Sequence, residues 1–368
     1  MIYLDYSATT PVNKEVLESF NEACNIYANP NSKHKLGFEA KSIIEDSTSK
    51  IANLLGIKTN EIIYTSGSSE SNNLALFGLA NQFPNKKHII TTKFEHSSVL
   101  SPTSALQKRG YDIDFVKTDS NGVIKLDNLL SLITENTLLV STIMVNSEIG
   151  IIQPVMEIAE ILKHKDVFYH VDATQAIGKL KLDLSNIDLL SFTAHKIYGI
   201  KGIGCLIKKE NIKLAPIIYG GKSTTKYRSG TPCTQLIASL SKALELAFNK
   251  LDYNYKYVTE LNQYSRSKLS NKDNILINSP INSSPYILNL SIINHDALKI
   301  QEYLSDKEIC ISTKSACSSN TSKSIQILSL YNDLKRATSS IRISISYLTT
   351  KNEIDIVINE ILKLAERE

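Results

Sequence analysis

Cysteine is scarce in this sequence: five residues, Cys24, Cys205, Cys233, Cys310 and Cys317, among 368. The number is odd, and no CxxC spacing occurs. A disulfide framework and a zinc site are therefore not expected, and a reducing cytoplasm is the default setting. Tryptophan is absent, a lack that carries no functional message. No window approaches the ~18 apolar residues of a membrane span, so no membrane partner is expected. The opening residues MIYLDYSATT lack a basic segment followed by an apolar one, and a secretory signal is not expected. Charge of one sign is also lacking in excess. A net charge of +4 over the whole chain is too small to predict a nucleic-acid or membrane surface. No fixed-period repeat or low-complexity tract is visible.

What is present is an ordinary globular composition, 42% hydrophobic and 21% charged, in a chain long enough for one large domain or two smaller ones. Short runs rich in β-branched residues recur: HIITT (88–92), TLLVSTIMV (137–145), VFYHV (167–171), DLLSF (188–192) and IGCLIK (203–208). Continuous apolar runs of this length predict strands covered on both faces. Helical patterns such as SESNNLALFGLANQF and VMEIAEILKHK lie between them. The alternation predicts an α/β fold with a mostly parallel sheet. After SGTPCTQ the pattern changes. Residues 234 to about 270 read as long helix, 277–285 as a turn-rich connection, YILNLSI and SSIRISIS as strands. A final helix opens on a capping box, Thr350 with Glu353. The expected organisation is a large domain over 15–249 and a smaller α+β domain made of 1–14 plus 250–368.

In open parallel sheets ligands bind beyond the carboxyl ends of the strands. The first four of these strands end on polar chemistry: His96 after the first, Asn146 and Ser147 after the second, Asp172 and Gln175 at the third, Thr193, His195 and Lys196 at the fourth. In YTSGSSESNN, Gly67 allows a tight turn. Ser68 and Ser69 then place hydroxyls at the start of a helix, where free N–H groups favour an anion. Alone this is a weak signal, because small residues cap helices everywhere. Together, a phosphate cradle, a lysine, a strand-end aspartate and a histidine are what pyridoxal phosphate requires. The lysine forms a Schiff base with the aldehyde, and a carboxylate keeps the pyridine nitrogen protonated.

At this point the sequence resembles the cysteine desulfurases, within the class V aminotransferases of fold type I. The resemblance runs nearly end to end through YLDYSATTP (3–11), NPNSKHKLGFEA (29–40), TSGSSESNNLA (65–75), VNSEIG, HVDATQAIGKL (170–180), SFTAHKIYGIKGIG (191–204), YRSGT (227–231) and SSIRIS (339–344). It implies that Lys196 carries the cofactor, Asp172 pairs with its ring nitrogen, Gln175 bonds its phenolate oxygen, and His96 stacks on the ring and helps move protons. The phosphate would be held by Ser68, Ser69, Thr193 and His195, with Thr231 reaching in from the other subunit of a homodimer. Asn146 and Ser147 would contact the cofactor or substrate, and Arg342 would clamp the substrate carboxylate. STKSAC is similar to the family's mobile cysteine loop, which would explain a thiol, Cys317, in a polar loop where cysteine is otherwise unexpected. Attack requires the thiolate, and the nearby Lys314 could favour it electrostatically.

The implied reaction converts L-cysteine to L-alanine and leaves a persulfide on Cys317 for an acceptor protein, an iron–sulfur scaffold or a tRNA-thiolating enzyme. The other four cysteines are expected to be structural. The sequence departs from the family pattern at Ser147, where a second asparagine is usual, and at the cysteine loop, where STKSAC stands for SSGSAC. It also ends soon after its last helix, without the extension some members use to dock a scaffold. Three rival readings remain: a selenocysteine lyase, another class V aminotransferase, and a cofactor-poor binding partner.

Overall fold

A computed structural model describes residues 1–313 and 323–366. Its strands, in chain order, are β1 (Ile2–Tyr3), β2 (Ile62–Thr65), β3 (His88–Thr91), β4 (Asp112–Phe115), β5 (Thr137–Ile143), β6 (Phe168–Asp172), β7 (Leu189–Thr193), β8 (Gly204–Lys208), β9 (Ile275–Ile277), β10 (Ile287–Ile292), β11 (Ile309–Cys310) and β12 (Ser340–Ser344). The five apolar runs picked out in the sequence all form strands of one seven-stranded sheet, ordered β2-β8-β7-β6-β5-β3-β4. The neighbours from β4 to β7 pair in parallel, while β8 is antiparallel to both β7 and β2. Six of the seven strands thus point the same way. Every residue of β5, β7 and β8 is buried, as expected for strands covered by helices on both faces.

The sequence reading missed β4. Its Asp112, Asp114 and Phe115 are exposed and only Ile113 is half-buried, so no apolar run marks it. It is an edge strand, and a charged edge resists pairing with another chain. The long helix expected from 234 is two helices, Thr234–Asn249 and Leu251–Leu269, broken at Lys250. The closing helix Lys351–Ala365 has the expected capping box: Thr350 accepts from the Glu353 N–H and Glu353 from the Thr350 N–H. Ile354, Val357, Ile358 and Ile361 of its stripe are buried. No helix among the described residues is long and apolar enough to cross a membrane.

A second, antiparallel sheet, β12-β10-β9, lies in the C-terminal third. The first residues of the chain join it. β1 pairs with β11, and Asp5 bridges to Ser344 at the end of β12. This crossing carries residues 5–10 along the carboxyl rim of the large sheet.

Gly204, at the start of β8, is the tightest point on that rim. A Cβ there would lie 2.5 Å from the Phe192 carbonyl oxygen and 2.7 Å from Gly67 Cα. The close approach seats the turn after β2 directly on the sheet. We expect Gly204→Ala to lower stability by ~1–3 kcal/mol through overpacking against backbone, measured as a lower midpoint in denaturant with an unchanged slope. An unchanged midpoint would mean the turn has room to move.

Candidate active site

The ends of β2, β3, β5, β6 and β7 surround a cavity of about 280 Å³. Its wall contains Ser68, Ser69, His96, Ser147, Asp172 and Thr174, with Gln175, His195, Lys196, Arg342 and Ser7 completing it. Ser68 and Ser69 open the helix Ser68–Gln82, in which the Ser71 N–H makes the first bond back, to Gly67. The N–H groups ahead of it are free of the helix ladder, an electropositive end suited to an anion.

Asp172 is 2% exposed at the end of β6. A buried carboxylate must be hydrogen-bonded, and this one accepts from the Thr174 N–H (3.0 Å) and from Asn72 Nδ2 (2.8 Å). The same Asn72 amide donates to Ser98 Oγ at 2.9 Å. The Ser98 hydroxyl lies 2.8 Å from His96 Nδ1, and the Ser98 backbone N–H donates to that nitrogen at 3.2 Å. A backbone N–H can only donate, so Nδ1 is an acceptor and the neutral ring carries its proton on Nε2. Burial holds the His96 pKa below its usual value. Lys196 adds to this, and Asp172 opposes it. Beside it, Glu95 is 1% exposed and burial pushes its carboxyl up to about 8. Near neutral pH Glu95 is therefore mostly uncharged.

Lys196 follows β7 on the short turn Ala194–Lys196. Its Nζ donates to the Ser7 and Ala8 carbonyls at 2.5 and 2.6 Å. Two residues on, Tyr198 has φ +63°, a left-handed conformation that a bulky residue rarely adopts. Its N–H and hydroxyl are fixed by Thr10 and Ser346. His195 Nδ1 lies 3.2 Å from Thr9 Oγ1. Burial, reinforced by Lys196, brings the His195 pKa down to about 4, so this ring is neutral at ordinary pH. Gln175 donates from Nε2 to the Ser7 carbonyl at 2.9 Å.

Arg342, in the middle of β12, is 1% exposed. It donates from Nη2 to Asp5 Oδ1 (2.7 Å) and from Nη1 to the Ser147 carbonyl (2.9 Å), while Nε has no partner among the described residues. Its backbone pairs with Ser312, two residues before the undescribed stretch 314–322. On the far side of that segment the Ser324 hydroxyl donates to Glu148. Cys317 itself lies outside the described residues, as does Lys314. Cys310 is half-buried in β11, Cys205 is buried, and Cys24 and Cys233 are exposed, all four as free thiols.

Three predicted side chains stand apart from the cavity. Thr193 is buried behind it, its hydroxyl donating to the Ile203 carbonyl. Asn146 is fully buried and committed: Nδ2 donates to the Phe94 carbonyl and Gln326, and Oδ1 accepts from the Glu148 and Ile149 N–H groups. It shapes the turn that presents Ser147 rather than facing the cavity. Thr231 is exposed and lines a different hollow, with Ser66 and Arg228. The sequence reading assigned no role to Ser7, Asp5, Asn72, Ser98 or Thr174. Asn72 was within reach of it, since position 72 is one turn into the helix that opens at the phosphate cradle.

The cavity fits pyridoxal phosphate. A helix N-terminus for an anion, a buried carboxylate for a protonated ring nitrogen and an amine for an aldehyde face one space. Thr174 Oγ1, buried in its wall, has no partner among the described residues. The hydrogen bonds around His96 lead to a direct expectation. Nitrogen-15 spectra of the imidazoles should place the His96 proton on Nε2 down to a pH below 6.5, whereas a proton on Nδ1 would contradict the Ser98 contacts.

The family model described as aminotransferase class V matches residues 2–357. A protein named cysteine desulfurase IscS, from Dictyoglomus turgidum, is 36% identical over 373 residues, covering 100% of this chain and 95% of that one. A solved NifS-like protein superposes with a TM-score of 0.92 at 35% identity, over 99% of this chain and 98% of its own. A structure titled SspA in complex with cysteine gives a TM-score of 0.83 at 31% identity, covering 95% and 100%. With a family model over residues 2–357 and relatives matched over nearly their whole length, this chain belongs to the class V aminotransferases, in their cysteine desulfurase branch.

Proposed function

We propose that this chain is a pyridoxal-phosphate-dependent cysteine desulfurase that takes sulfur from L-cysteine onto Cys317 and passes it to an acceptor protein. The observation that carries the reading is the pairing of Ser312 with Arg342. It ties the segment leading to Cys317 to the arginine that would hold the substrate carboxylate. Cys317 is five residues beyond Ser312, so full extension bounds its distance at ~17 Å. A transaminase has no use for a thiol delivered there. The structure titled as a complex with cysteine supports the same substrate.

Lys196 would hold the cofactor through Nζ, Asp172 would face the ring nitrogen, and Gln175 would donate to the phenolate oxygen. His96 would lie against the ring with its Nε2 proton directed into the pocket. Ser68, Ser69 and His195 would take the phosphate. Thr193 would support them from behind, and Thr231 would come from the second subunit of a homodimer, in keeping with its exposure here. Bound pyridoxal phosphate supplies an electron sink for the pair left when the substrate Cα–H bond breaks. Arg342 would orient the substrate by its carboxylate, held ready by Asp5 and the Ser147 carbonyl, and Ser147 would line the same end. Lys196 Nζ would take the Cα proton. The Cys317 thiolate would then attack the substrate sulfur: an S–S bond forms, the Cβ–S bond breaks, and protonation of the remaining fragment gives L-alanine. A cytoplasmic setting, an iron–sulfur scaffold or tRNA-thiolating enzyme as acceptor, and the division into 15–249 and 1–14 plus 250–368 belong to the same proposal.

Sulfide and alanine release from L-cysteine, with added reductant, tests it. Cys317→Ser should lose about 10³-fold or more in rate while keeping the visible absorbance of the bound cofactor. Wild-type sulfide release by that variant would rule out transfer through this residue and bring Cys310 or a lyase reading forward. Arg342→Lys should raise KM for L-cysteine about 10-fold or more, because an ammonium cannot reproduce a two-point carboxylate contact. Unchanged KM would remove Arg342 from the substrate site.

A further inference from the structure

Lys179 is a buried cation that the reaction above does not use. It is 8% exposed and forms no ion pair among the described residues. Burial, reinforced by the positive charges of Lys196 and Arg342, brings its pKa down to about 7. Methionine would fill the space without this penalty. The favourable contacts of Nζ are the Tyr286 ring, 5.7 Å away, and Gln175 Oε1, at 3.0 Å.

The second contact has a geometric consequence. A glutamine amide has a donor end and an acceptor end of nearly the same shape, and its partners decide which points where. Gln175 Nε2 meets the Ser7 carbonyl, which can only accept, and Oε1 meets Lys179 Nζ, which can only donate while it is protonated. Flipping the amide would set donor against donor and acceptor against acceptor. Nε2 keeps a second hydrogen, and Gln175 lines the cofactor cavity. Lys179 reaches Gln175 because both lie on one turn, four residues apart. Gly178 between them has φ +65°, and a Cβ on it would fall 2.7 Å from Ala247 Cβ. Only glycine allows the backbone to bend inward there.

We infer that Lys179 is a positioning residue, fixing the Gln175 amide so that an Nε2 proton faces the cofactor's phenolate oxygen. This rests on the cofactor reading above. The measurement is the pH titration of the visible band of the purified holoenzyme, with cofactor content and thermal midpoint recorded beside it. Lys179→Met should keep its cofactor and move the titration up by about one pH unit, since the anionic oxygen loses a reliable donor. Lys179→Gln, which can still donate to Oε1 but carries no charge, should titrate close to wild type. In a Gln175→Leu background Lys179→Met should add no further shift. If Lys179→Gln shifts as far as Lys179→Met, or if the shift persists without Gln175, the lysine acts by its charge alone and the inference is overturned. A purely structural lysine would change the midpoint and leave the titration in place, which also overturns it. Should Lys179→Met not fold, Lys179→Ala reads the same quantity. A wild type with no visible band would overturn the cofactor reading itself, and this inference with it.

Discussion

The buried carboxylate of Asp172 is the constraint around which the site is built. An isolated ionised carboxylate in a protein interior is strongly unfavourable, so its oxygens must be satisfied by groups that cannot move away. Thr174 supplies a backbone N–H and Asn72 an amide, and each commits a different element. Asn72 ties the helix that begins at the phosphate cradle to β6. Through Ser98 it reaches the helix that begins at His96. One buried charge thereby sets the spacing of three strand ends and fixes the histidine tautomer. Under the proposed cofactor binding, a protonated ring nitrogen would be its further partner on the cavity side.

The other charges follow from the same accounting. Burial neutralises Glu95, His96 and His195 near neutral pH, by raising the first and lowering the other two. That leaves Asp172 and Asp5 against Lys196 and Arg342, with Lys179 close behind. A cavity lined by Lys196 and Arg342, with an open helix N-terminus, suits a phosphate and a carboxylate. Such interactions are strengthened where water is excluded.

How much of this was legible in the sequence depended on how local each signal was. The buried strands could be read because strands covered on both faces must be continuously apolar, and the polar residues after them could be read because parallel strands deliver their carboxyl ends to one rim. The edge strand at 112–115 escaped because an exposed edge need not be apolar. The wall formed by residues 5–10 escaped for a different reason. It contributes backbone carbonyls from Ser7 and Ala8, and a carbonyl leaves no mark on residue identity. The contact role expected of Asn146 rests on the family resemblance and on its place after a strand. Only the structure shows that all of its hydrogen-bonding capacity goes to neighbouring backbone and Gln326.

The departure at position 147 can now be weighed. The contact that Ser147 makes with Arg342 is through its carbonyl, which any residue provides. Its position is set by Asn146, whose Oδ1 holds the next two N–H groups. The architecture of this turn therefore tolerates a serine without loss, and what the shorter side chain changes is the space it leaves at the cavity wall. That wall lies between Arg342, where the segment carrying Cys317 begins, and Glu148, where the Ser324 end of that segment is fastened. Both anchors and the altered side chain share one side of the site. Ser312 and Ser324, on either side of the undescribed stretch, are thus held by the same strand and turn that carry Arg342 and Ser147.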